Sequence, residues 1–250
     1  MFLNERYEAI LAYLKKNRSA TVKELSGRLY VSPATVRRDL EEMQKLGLLR
    51  RTHGGAIYYD QASEVSIFIR QESRAEEKRA IVKATIPFLP EFTSVFIDNS
   101  STCLAFSDFL DFANKTVVTN GMQIASRISM QNNVSLFMPG GAVRYNTNAV
   151  TGEMTCDQIR MFRYDLMVCS CAKLDAEGCY EQDIATASIK KTAFYQSKKK
   201  ILLVDQSKLL QNTVFKSTNP KEYDFIVTDA DDLTVSALRQ KGLNIYNFKR

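Results

Sequence analysis

Histidine and tryptophan are almost absent from this 250-residue chain, which contains one histidine, His53, and no tryptophan. Catalytic zinc sites and Ser-His-Asp triads both depend on histidine, so zinc hydrolysis and serine-nucleophile catalysis are disfavoured. The five cysteines are an odd number without a paired framework, and Cys169-x-Cys171 is a poor metal signature. We therefore expect reduced thiols buried as small hydrophobic side chains, with no metal and no cofactor.

Long apolar runs are also missing, since none approaches the ~20 residues that a membrane-spanning helix needs. The N-terminus enters an amphipathic pattern directly and lacks the cleavage region of a signal peptide. Hydrophobic residues at 45% and charged residues at 25% are ordinary for a globular protein in water. We expect a cytoplasmic protein, with room for one small and one large domain.

Positive charge is distributed unevenly along the chain. Residues 1–58 contain eleven Lys and Arg against six Asp and Glu, whereas the whole chain has 34 against 28. Most of the net charge of +6 therefore lies in this first segment. A polyanionic partner should contact this segment first.

Residues 31–40 have the pattern of a DNA-recognition helix. Ser32 can cap the helix, and Pro33 suits its first position. One face is made apolar by three regularly spaced residues, which are Val36, Leu40 and Met43. The opposite face presents small, hydroxylic and guanidinium side chains of the kind that read a major groove. These side chains belong to Ala34, Thr35, Arg37 and Arg38.

Two further helices and a hairpin accompany this helix. Apolar spacing predicts a helix over residues 4–16, and Thr21 with Glu24 forms a capping box that opens a second. Gly47 is predicted to end the recognition helix. The extended runs 48–52 and 56–59 flank His53-Gly54-Gly55 and predict a β-hairpin wing. Its basic side chains, suited to phosphates or the minor groove, are Arg50, Arg51 and His53. This arrangement is typical of a winged helix-turn-helix.

From about residue 80, short apolar runs alternate with helical patterns. Such alternation predicts a mostly parallel sheet covered on both faces. The predicted strands are residues 95–97, 117–119, 134–138, 166–169, 201–204, 225–228 and 244–246. Before them, the run Glu76-Glu77-Lys78 is interpreted as a solvated helix start.

Polar loops follow four of these strands, and ligands of parallel sheets bind outside the C-terminal strand ends. At residues 98–102, hydroxyl side chains and free N–H groups precede a helix, an arrangement suited to phosphate. The other loops are residues 119–121, 139–144 and 205–208. Together they predict a pocket for a small anion that carries hydroxyl groups.

The order and spacing of these motifs resemble the DeoR family of bacterial transcription regulators. The matching stretches are residues 31–40, 46–49, 51–56, 98–102, 119–120, 140–144, 151–153 and 204–208, and they span nearly the whole chain. The resemblance implies a winged helix-turn-helix that binds double-stranded operator DNA, and a sensor with the fold of sugar-phosphate isomerases. It further implies a repressor of a carbohydrate-metabolism operon, controlled by a phosphorylated sugar and assembled as a homodimer or homotetramer.

The predicted fold class is α/β, with an N-terminal winged helix-turn-helix followed by a mostly parallel-sheet α/β sensor domain. The expected boundaries are residues 1–58 for the DNA-binding domain, 59–78 for a linker and 79–250 for the effector-sensing domain.

Carried over to matching positions, the resemblance assigns site residues. The DNA contacts on the recognition helix are Ser32, Thr35, Arg37 and Arg38. Asp39 either orients one of these arginines or forms a salt bridge within its own helix. Phosphate would be held by Ser100, Ser101 and Thr102, and the sugar or phosphate would face Asp98, Asn120, Arg144 and Lys208. The complete candidate effector site is Asp98, Ser100, Ser101, Thr102, Asn120, Gly140, Gly141, Arg144 and Lys208.

Three positions depart from the family pattern. Ser100 stands where glycine is usual, Thr186 where an acidic residue is common, and residues 169–173 where the isomerases carry a catalytic loop with glycine and aspartate. Without those carboxylates a general base is hard to place, which argues against an enzyme. Two alternatives stay open: a sugar-phosphate-metabolising enzyme with a DNA-binding appendage, and a nonspecific basic DNA-binding protein with an inert second domain.

Overall fold

The computed structural model describes residues 3–45, 48–57 and 67–248, without the side chains of residues 3, 4, 45, 50, 68 and 69. The chain forms two compact units, Met1–Phe68 and Ile69–Arg250. The predictions made for Gly47, for residues 58–66 and for the side chain of Arg50 lie outside the described residues. No helix in the described ranges is long and apolar enough to cross a membrane.

The first unit consists of short helices and a small antiparallel sheet with strand order β1-β3-β2. Its elements are α1 (Leu3–Asn17), β1 (Ser19–Thr21), α2 (Val22–Leu29), α3 (Pro33–Lys45), β2 (Arg50–Thr52) and β3 (Gly55–Ile57). The predicted hairpin is present as β2 and β3, and β1 adds a third strand that the sequence did not predict. Gly55 permits this addition, because a Cβ there would lie 1.9 Å from the carbonyl oxygen of Ala20.

Local hydrogen bonds begin the second and third helices where the sequence predicts. Thr21 Oγ1 accepts from the Glu24 N–H, and the Glu24 carboxylate accepts from the Thr21 N–H, which completes the capping box. Ser32 Oγ accepts from the Thr35 N–H at 3.1 Å, and α3 starts at Pro33. Both predicted helix starts are therefore confirmed.

The apolar face of α3 is fully buried through Val36, Leu40 and Met43, as predicted. It packs with α1 and α2 residues such as Ile10 and Leu25, which are also fully buried. Burial of this face on one side leaves the other side of α3 to solvent.

The second unit is built on a seven-stranded parallel sheet of order β15-β14-β12-β9-β4-β5-β6. The strands of the unit are β4 (Ser94–Ile97), β5 (Thr116–Thr119), β6 (Ser135–Phe137), β7 (Ala142–Arg144), β8 (Ala149–Thr151), β9 (Tyr164–Cys169), β10 (Lys173–Leu174), β11 (Cys179–Glu181), β12 (Ser197–Val204), β13 (Phe215–Thr218), β14 (Phe225–Thr228) and β15 (Ile245–Asn247). Every predicted strand overlaps a member of this sheet. The fold is α/β, as predicted.

Helices cover both faces of the sheet. They are α5 (Ala75–Thr85), α6 (Ser101–Phe106), α7 (Met122–Ile128), α8 (Glu153–Arg160), α9 (Ile184–Gln196) and α10 (Asp232–Gln240). A short helix, α4 (Ile67–Glu72), precedes them, and short 3₁₀ turns lie at Ile86–Phe88, Gln206–Lys208 and Pro220–Glu222. Neighbouring strand residues point to opposite faces: Val95 and Ile97 pack with α5, α6 and α7, whereas Phe96 packs with α8, α9 and α10. Each face therefore has its own apolar core.

The strand order reverses between β4 and β9. Successive strands run outward from β4 through β5 to β6, and outward from β9 through β12 and β14 to β15. Such a reversal opens a crevice at the C-terminal strand ends, which is where open α/β sheets bind ligands. We call the ends of β4 and β9 the switch-point edge. The first residues beyond them are Asp98 and Ser170.

Residues 69–78, expected in the linker, belong to the larger unit. Helix α5 packs on α6, and the α5 residues Ile81 and Val82 are fully buried in the core with Val95 and Leu104. Lys78 in the first turn of α5 is also buried, so the compact unit begins before residue 79.

Candidate DNA interface and anion site

The solvent face of α3 carries the predicted DNA-contact residues. Ala34, Arg37 and Arg38 are exposed, and Thr35 is half-buried. Neither arginine forms an ion pair within the described part of the chain, so both guanidinium groups are available to an external anion. Ser32 is exposed, and its hydroxyl lies 2.9 Å from that of Thr35. The helix thus presents hydroxyl and guanidinium groups together on one surface.

The hairpin provides a second basic surface. His53 is exposed in the turn between β2 and β3, and Arg51 is half-buried. The Arg51 N–H donates to Gln44 Oε1 at 2.7 Å, which joins the first strand of the hairpin to the end of α3. This bond connects the wing to the recognition helix.

Asp39 has a role that neither interpretation from the sequence anticipated. Its carboxylate is buried and accepts two hydrogen bonds from the Arg6 guanidinium of α1, at 2.8 and 2.9 Å. The two proposed roles, orienting a neighbouring arginine and bridging within α3, are both wrong. Residues 33 positions apart come together because α1 packs across α3, which the periodicity of a single helix does not show.

At the switch-point edge, Asp98 forms the centre of a buried polar network. Its carboxylate accepts from the Ser100 N–H at 3.0 Å and from the Ser170 N–H at 3.2 Å. Lys190 Nζ of α9 lies 3.0 Å from the same carboxylate. The network therefore ties together the loops after β4 and β9.

Lys190 is shared between two carboxylates. Its ammonium lies 2.8 Å from Glu181 Oε1 and also donates to the Ser170 carbonyl at 2.6 Å. Burial alone would lower the pKa of Lys190, but Asp98 and Glu181 raise it well above its usual value. Burial would likewise raise the pKa of Asp98, yet Lys190 and the Ser100 hydrogen bonds hold it below its usual value. Asp98 and Lys190 are therefore held in their charged forms, as a buried ion pair.

The loop after β4 carries hydroxyl groups into the same edge. Ser100 Oγ accepts from the Cys103 N–H at 3.2 Å and so caps α6, while the side chains of Ser101 and Thr102 are buried. Thr102 Oγ1 has no hydrogen-bond partner among the described residues, and neither has Asn120 Oδ1 at the end of β5. Asn120 Nδ2 bonds Asn99 Oδ1 and the Val150 carbonyl. Two buried oxygens at this edge thus have unused hydrogen-bonding capacity.

Lys208 reaches the edge from the turn after β12. Its ammonium donates to Ser170 Oγ at 3.0 Å and lies 3.7 Å from the Asp205 carboxylate. Asp205 is buried, which would raise its pKa, but Lys208, a Ser207 hydrogen bond, Lys78 and Arg74 lower it overall. Lys208 is therefore the cation beside this carboxylate, and Lys78 and Arg74 add positive charge to its surroundings. This local excess of positive charge favours binding of a small anion.

Lys78 is a member of this site that the sequence did not indicate. The interpretation of its segment as a solvated helix start is wrong for Lys78, which is only 5% exposed. Burial, together with the charge of Lys208, lowers its pKa to about 8. Lys78 also lines a cavity of about 120 Å³ together with Ser101 and Arg79. The i, i+3 and i, i+4 spacing of Lys78 with Ile81 and Val82 places it on the buried face, and this was the available signal.

The remaining predicted effector residues make other contacts. Gly140 N–H donates to Gln158 Oε1, and Thr155 Oγ1 donates to the Gly140 carbonyl, so this loop packs against α8. A Cβ on Gly141 would lie 2.2 Å from Thr155 Oγ1, and its φ of 152° also favours glycine. Arg144 is paired with Asp183 at 2.8 Å. The structure brings Asp98, Ser100, Ser101, Thr102, Asn120 and Lys208 together, whereas Gly140, Gly141 and Arg144 contact α8 and the start of α9.

All five cysteines are free and buried, as predicted. Burial raises the pKa of Cys103, Cys169 and Cys179 well above the usual thiol value. These thiols are therefore poor nucleophiles and act as core side chains.

Comparison with known proteins agrees with this geometry. A DeoR-like helix-turn-helix domain matches residues 6–62, and a DeoR C-terminal sensor domain matches residues 73–230. The chain is 28% identical to the glycerol-3-phosphate regulon repressor of Escherichia coli, over 90% of both proteins. It is 29% identical to the L-fucose operon activator of Haemophilus influenzae, over 91% of this chain and 92% of the relative. A solved D-ribose-5-phosphate isomerase in complex with phospho-erythronic acid aligns over 54% of each chain, with 17% identity and a TM-score of 0.40.

The two matched domains occupy most of the chain, in the order in which the helix-turn-helix and the parallel sheet occur. They indicate regulation of transcription rather than catalysis. The chain belongs to the DeoR family and is a DNA-binding transcription regulator.

Proposed function

We propose that this protein represses a carbohydrate-metabolism operon and that a phosphorylated sugar, bound by the α/β unit, controls its affinity for operator DNA. Both relatives support control of a carbohydrate operon, since one is named for the glycerol-3-phosphate regulon and the other for the L-fucose operon. Repression follows the first, which is a repressor, whereas the second is an activator. The observation that carries the proposal is a pair of lysines near the hydroxyl loop that opens α6. The Lys208 ammonium lies 3.7 Å from Asp205 and 3.0 Å from Ser170 Oγ, and the buried Lys78 lines a cavity with Ser101.

On the DNA side, α3 enters the major groove and the hairpin contacts the backbone. The proposed contacts are Ser32, Ala34, Thr35, Arg37, Arg38, Arg50, Arg51 and His53. The exposed, unpaired guanidinium groups of Arg37 and Arg38 suit bidentate contacts to guanine or phosphate.

On the effector side, the phosphate binds near Lys208, Lys78, Ser101 and Thr102. We call this group of residues, with Asp205, the anion site. The unpartnered oxygens of Thr102 and Asn120 accept hydrogen bonds from sugar hydroxyls. Asp98 acts indirectly, because its carboxylate already holds Ser100, Ser170 and Lys190 in place.

The protein acts as a homodimer or homotetramer. Helix-turn-helix proteins bind pseudo-palindromic half-sites about one helical turn apart, which requires two copies of α3. Analytical ultracentrifugation of the full-length chain tests this directly, and a monomer at operator-binding concentrations would contradict it.

The effector shifts DNA affinity only if it binds two arrangements of the protein with different affinities. A DNA site selected by the full-length protein from a random pool provides the operator. Fluorescence anisotropy then measures operator affinity during titration with triose, pentose and hexose phosphates, and with the same sugars lacking phosphate. We expect one phosphorylated compound to weaken operator binding about 5-fold to 150-fold.

Lys208→Met should abolish that response, whereas Lys221→Met, on an exposed lysine, should keep it. If no sugar phosphate changes operator affinity, the effector assignment is wrong. If the unphosphorylated sugars act equally well, the phosphate assignment is wrong. Equal affinities for operator and random DNA would instead favour nonspecific binding.

A further inference from the structure

The turn between α4 and α5 has a strained backbone. Arg74, which precedes α5, has a φ of 53° and makes no side-chain cap to the helix. This left-handed conformation is unfavourable for a residue with a Cβ, and such strain persists only where neighbouring contacts hold it. We call residues 70–74 the α4–α5 joint.

The contact that holds the joint is the side chain of Lys78. Its ammonium donates hydrogen bonds to the Arg70 carbonyl and, at 2.5 Å, to the Ser73 carbonyl. Carbonyl groups at the C-terminal end of a helix lack partners within the helix, and a lysine can satisfy them. Lys78 therefore caps α4 from the following helix.

Lys78 is also close to the hydroxyl loop of the anion site. Lys78 and Ser101 line one cavity, and the charges of Lys208 and Asp205 both act on Lys78. A phosphate in this site would compete for Lys78 with two neutral carbonyl groups. The donor is charged in both cases, but the phosphate is also charged, so Coulomb attraction makes it the better partner.

The joint lies at the boundary between the compact units. This boundary falls between Phe68 and Ile69, inside α4. The joint therefore begins two residues after the first unit ends.

We propose that Lys78 is the residue through which an anion acts on the DNA-binding unit. Phosphate binding draws the ammonium away from the Arg70 and Ser73 carbonyls, and the strained joint then relaxes. This inference rests on the proposed function, because it assumes that the anion site is occupied by a phosphate group. It adds the route from that site to α4.

Hydrogen–deuterium exchange of the full-length protein, with inorganic phosphate as the probe, tests the route. In the wild type, phosphate should slow exchange at residues 101–104 and speed exchange at residues 73–78 by about twofold or more. In Lys78→Met, residues 73–78 should exchange rapidly without phosphate and should not respond to it. Phosphate should still slow exchange at residues 101–104 through Lys208 and the serine and threonine groups.

Operator affinity gives the second measurement. Phosphate should weaken operator binding by the wild type and by Lys78→Arg, which keeps a cation at this position, but not by Lys78→Met. Lys83→Met removes an exposed lysine from the same helix and should respond like the wild type. If Lys78→Met does not fold, the exchange pattern of the wild type and the operator response of Lys78→Arg still test the route through Lys78.

Two results separate this inference from the proposed function. If phosphate slows exchange at residues 101–104 of the wild type without changing residues 73–78, the route through Lys78 is wrong and the anion site stands. An undiminished operator response in Lys78→Met has the same meaning. If phosphate affects neither segment nor operator affinity, the anion site itself is refuted and this inference falls with it.

Discussion

The face of α3 and the switch-point edge both carry basic side chains, but they differ in how far these side chains are exposed to solvent. On α3, Arg37 and Arg38 are exposed and unpaired within the described chain. At the edge, Lys190 is buried between two carboxylates, and Lys78 is buried against backbone carbonyls. The first arrangement keeps cations solvated, whereas the second keeps them desolvated and fixed.

This difference suits two kinds of anion. DNA is a large polyanion, and its binding by proteins is dominated by the release of counterions. Solvated arginines on an exposed helix are suited to such binding. A small phosphate ester must be recognised by a few groups with fixed positions, because it has little surface to bury. The two regions should therefore respond differently to the loss of one charge. At the edge the loss should lower the free energy of unfolding, and on α3 it should weaken DNA binding.

Loss of the buried cation should have the largest effect. Lys190→Met leaves Asp98 and Glu181 buried without their shared partner, and we expect the free energy of unfolding to fall by about 3–5 kcal/mol. Urea denaturation followed by circular dichroism measures this change. Lys191→Met, at the exposed neighbouring position, is the control and should change stability by less than about 0.5 kcal/mol. A similar small change in Lys190→Met would show that the buried network is not structural.

Loss of an exposed cation should change DNA binding instead. Arg38→Ala should weaken operator binding by about 1–3 kcal/mol and relax base preference, with thermal stability unchanged. Lys23→Ala removes one exposed charge from α2 and controls for the general electrostatic effect. Equal losses for Arg38→Ala and Lys23→Ala, with base preference retained, would remove Arg38 from specific readout.

The Arg6–Asp39 pair extends the comparison, because its buried carboxylate lies in the DNA-binding unit but resembles the carboxylates at the edge. Arg6→Met leaves the Asp39 carboxylate buried without its bidentate partner, and should destabilise this unit by about 1–2 kcal/mol. Differential scanning calorimetry of the full-length chain follows the unit's transition, with Lys16→Met as an exposed control. An unchanged transition would mean that the pair is dispensable.

The smallest expected effect is a pH dependence of anion affinity. Lys78, with a pKa of about 8, is charged below pH 8 and neutral above it. A bound phosphate favours the charged form, so affinity should fall as pH rises from 7 to 9, by about threefold to tenfold. The phosphate is already a dianion in this range, since its second pKa is near 6. Calorimetric titration with inorganic phosphate measures the change.

Lys78→Arg provides the matched control, because arginine stays charged throughout this range. Its phosphate affinity should not change between pH 7 and 9. An equal decline in both proteins would assign the pH dependence to another group.

Periodicity predicts the elements that are long or continuously apolar. The buried stripe of α3 and the central strands such as β12 and β14 follow directly from residue spacing. The short antiparallel strands β7, β8, β10, β11 and β13 were not predicted, because two to four residues are too few to show alternation. Whether these short segments form strands depends on the partner strands with which they pair in the fold.

The order of the strands in the sheet also could not be predicted from the sequence. The four polar loops follow β4, β5, β6 and β12, and they look equivalent along the chain. The order of the sheet brings the loops after β4 and β12 together beside the end of β9, with β5 next to β4. The loop after β6 lies at the edge strand, where Gly140 and Gly141 pack on α8. The burial of Asp39 depends on its partner in α1 and is hidden from the sequence, whereas the burial of Lys78 is visible in its spacing with Ile81 and Val82.

Strand β1 has a consequence for how the protein leaves DNA. Its three residues pair with β3 along the whole length of the hairpin, and the Val22 N–H donates to the Gly54 carbonyl at 2.8 Å. The wing is thereby fastened to the start of α2, and through Gln44 to the end of α3. These bonds fix the wing relative to the recognition helix. In the proposed operator complex, a tilt that lifted α3 from the groove would therefore also withdraw the wing from the backbone.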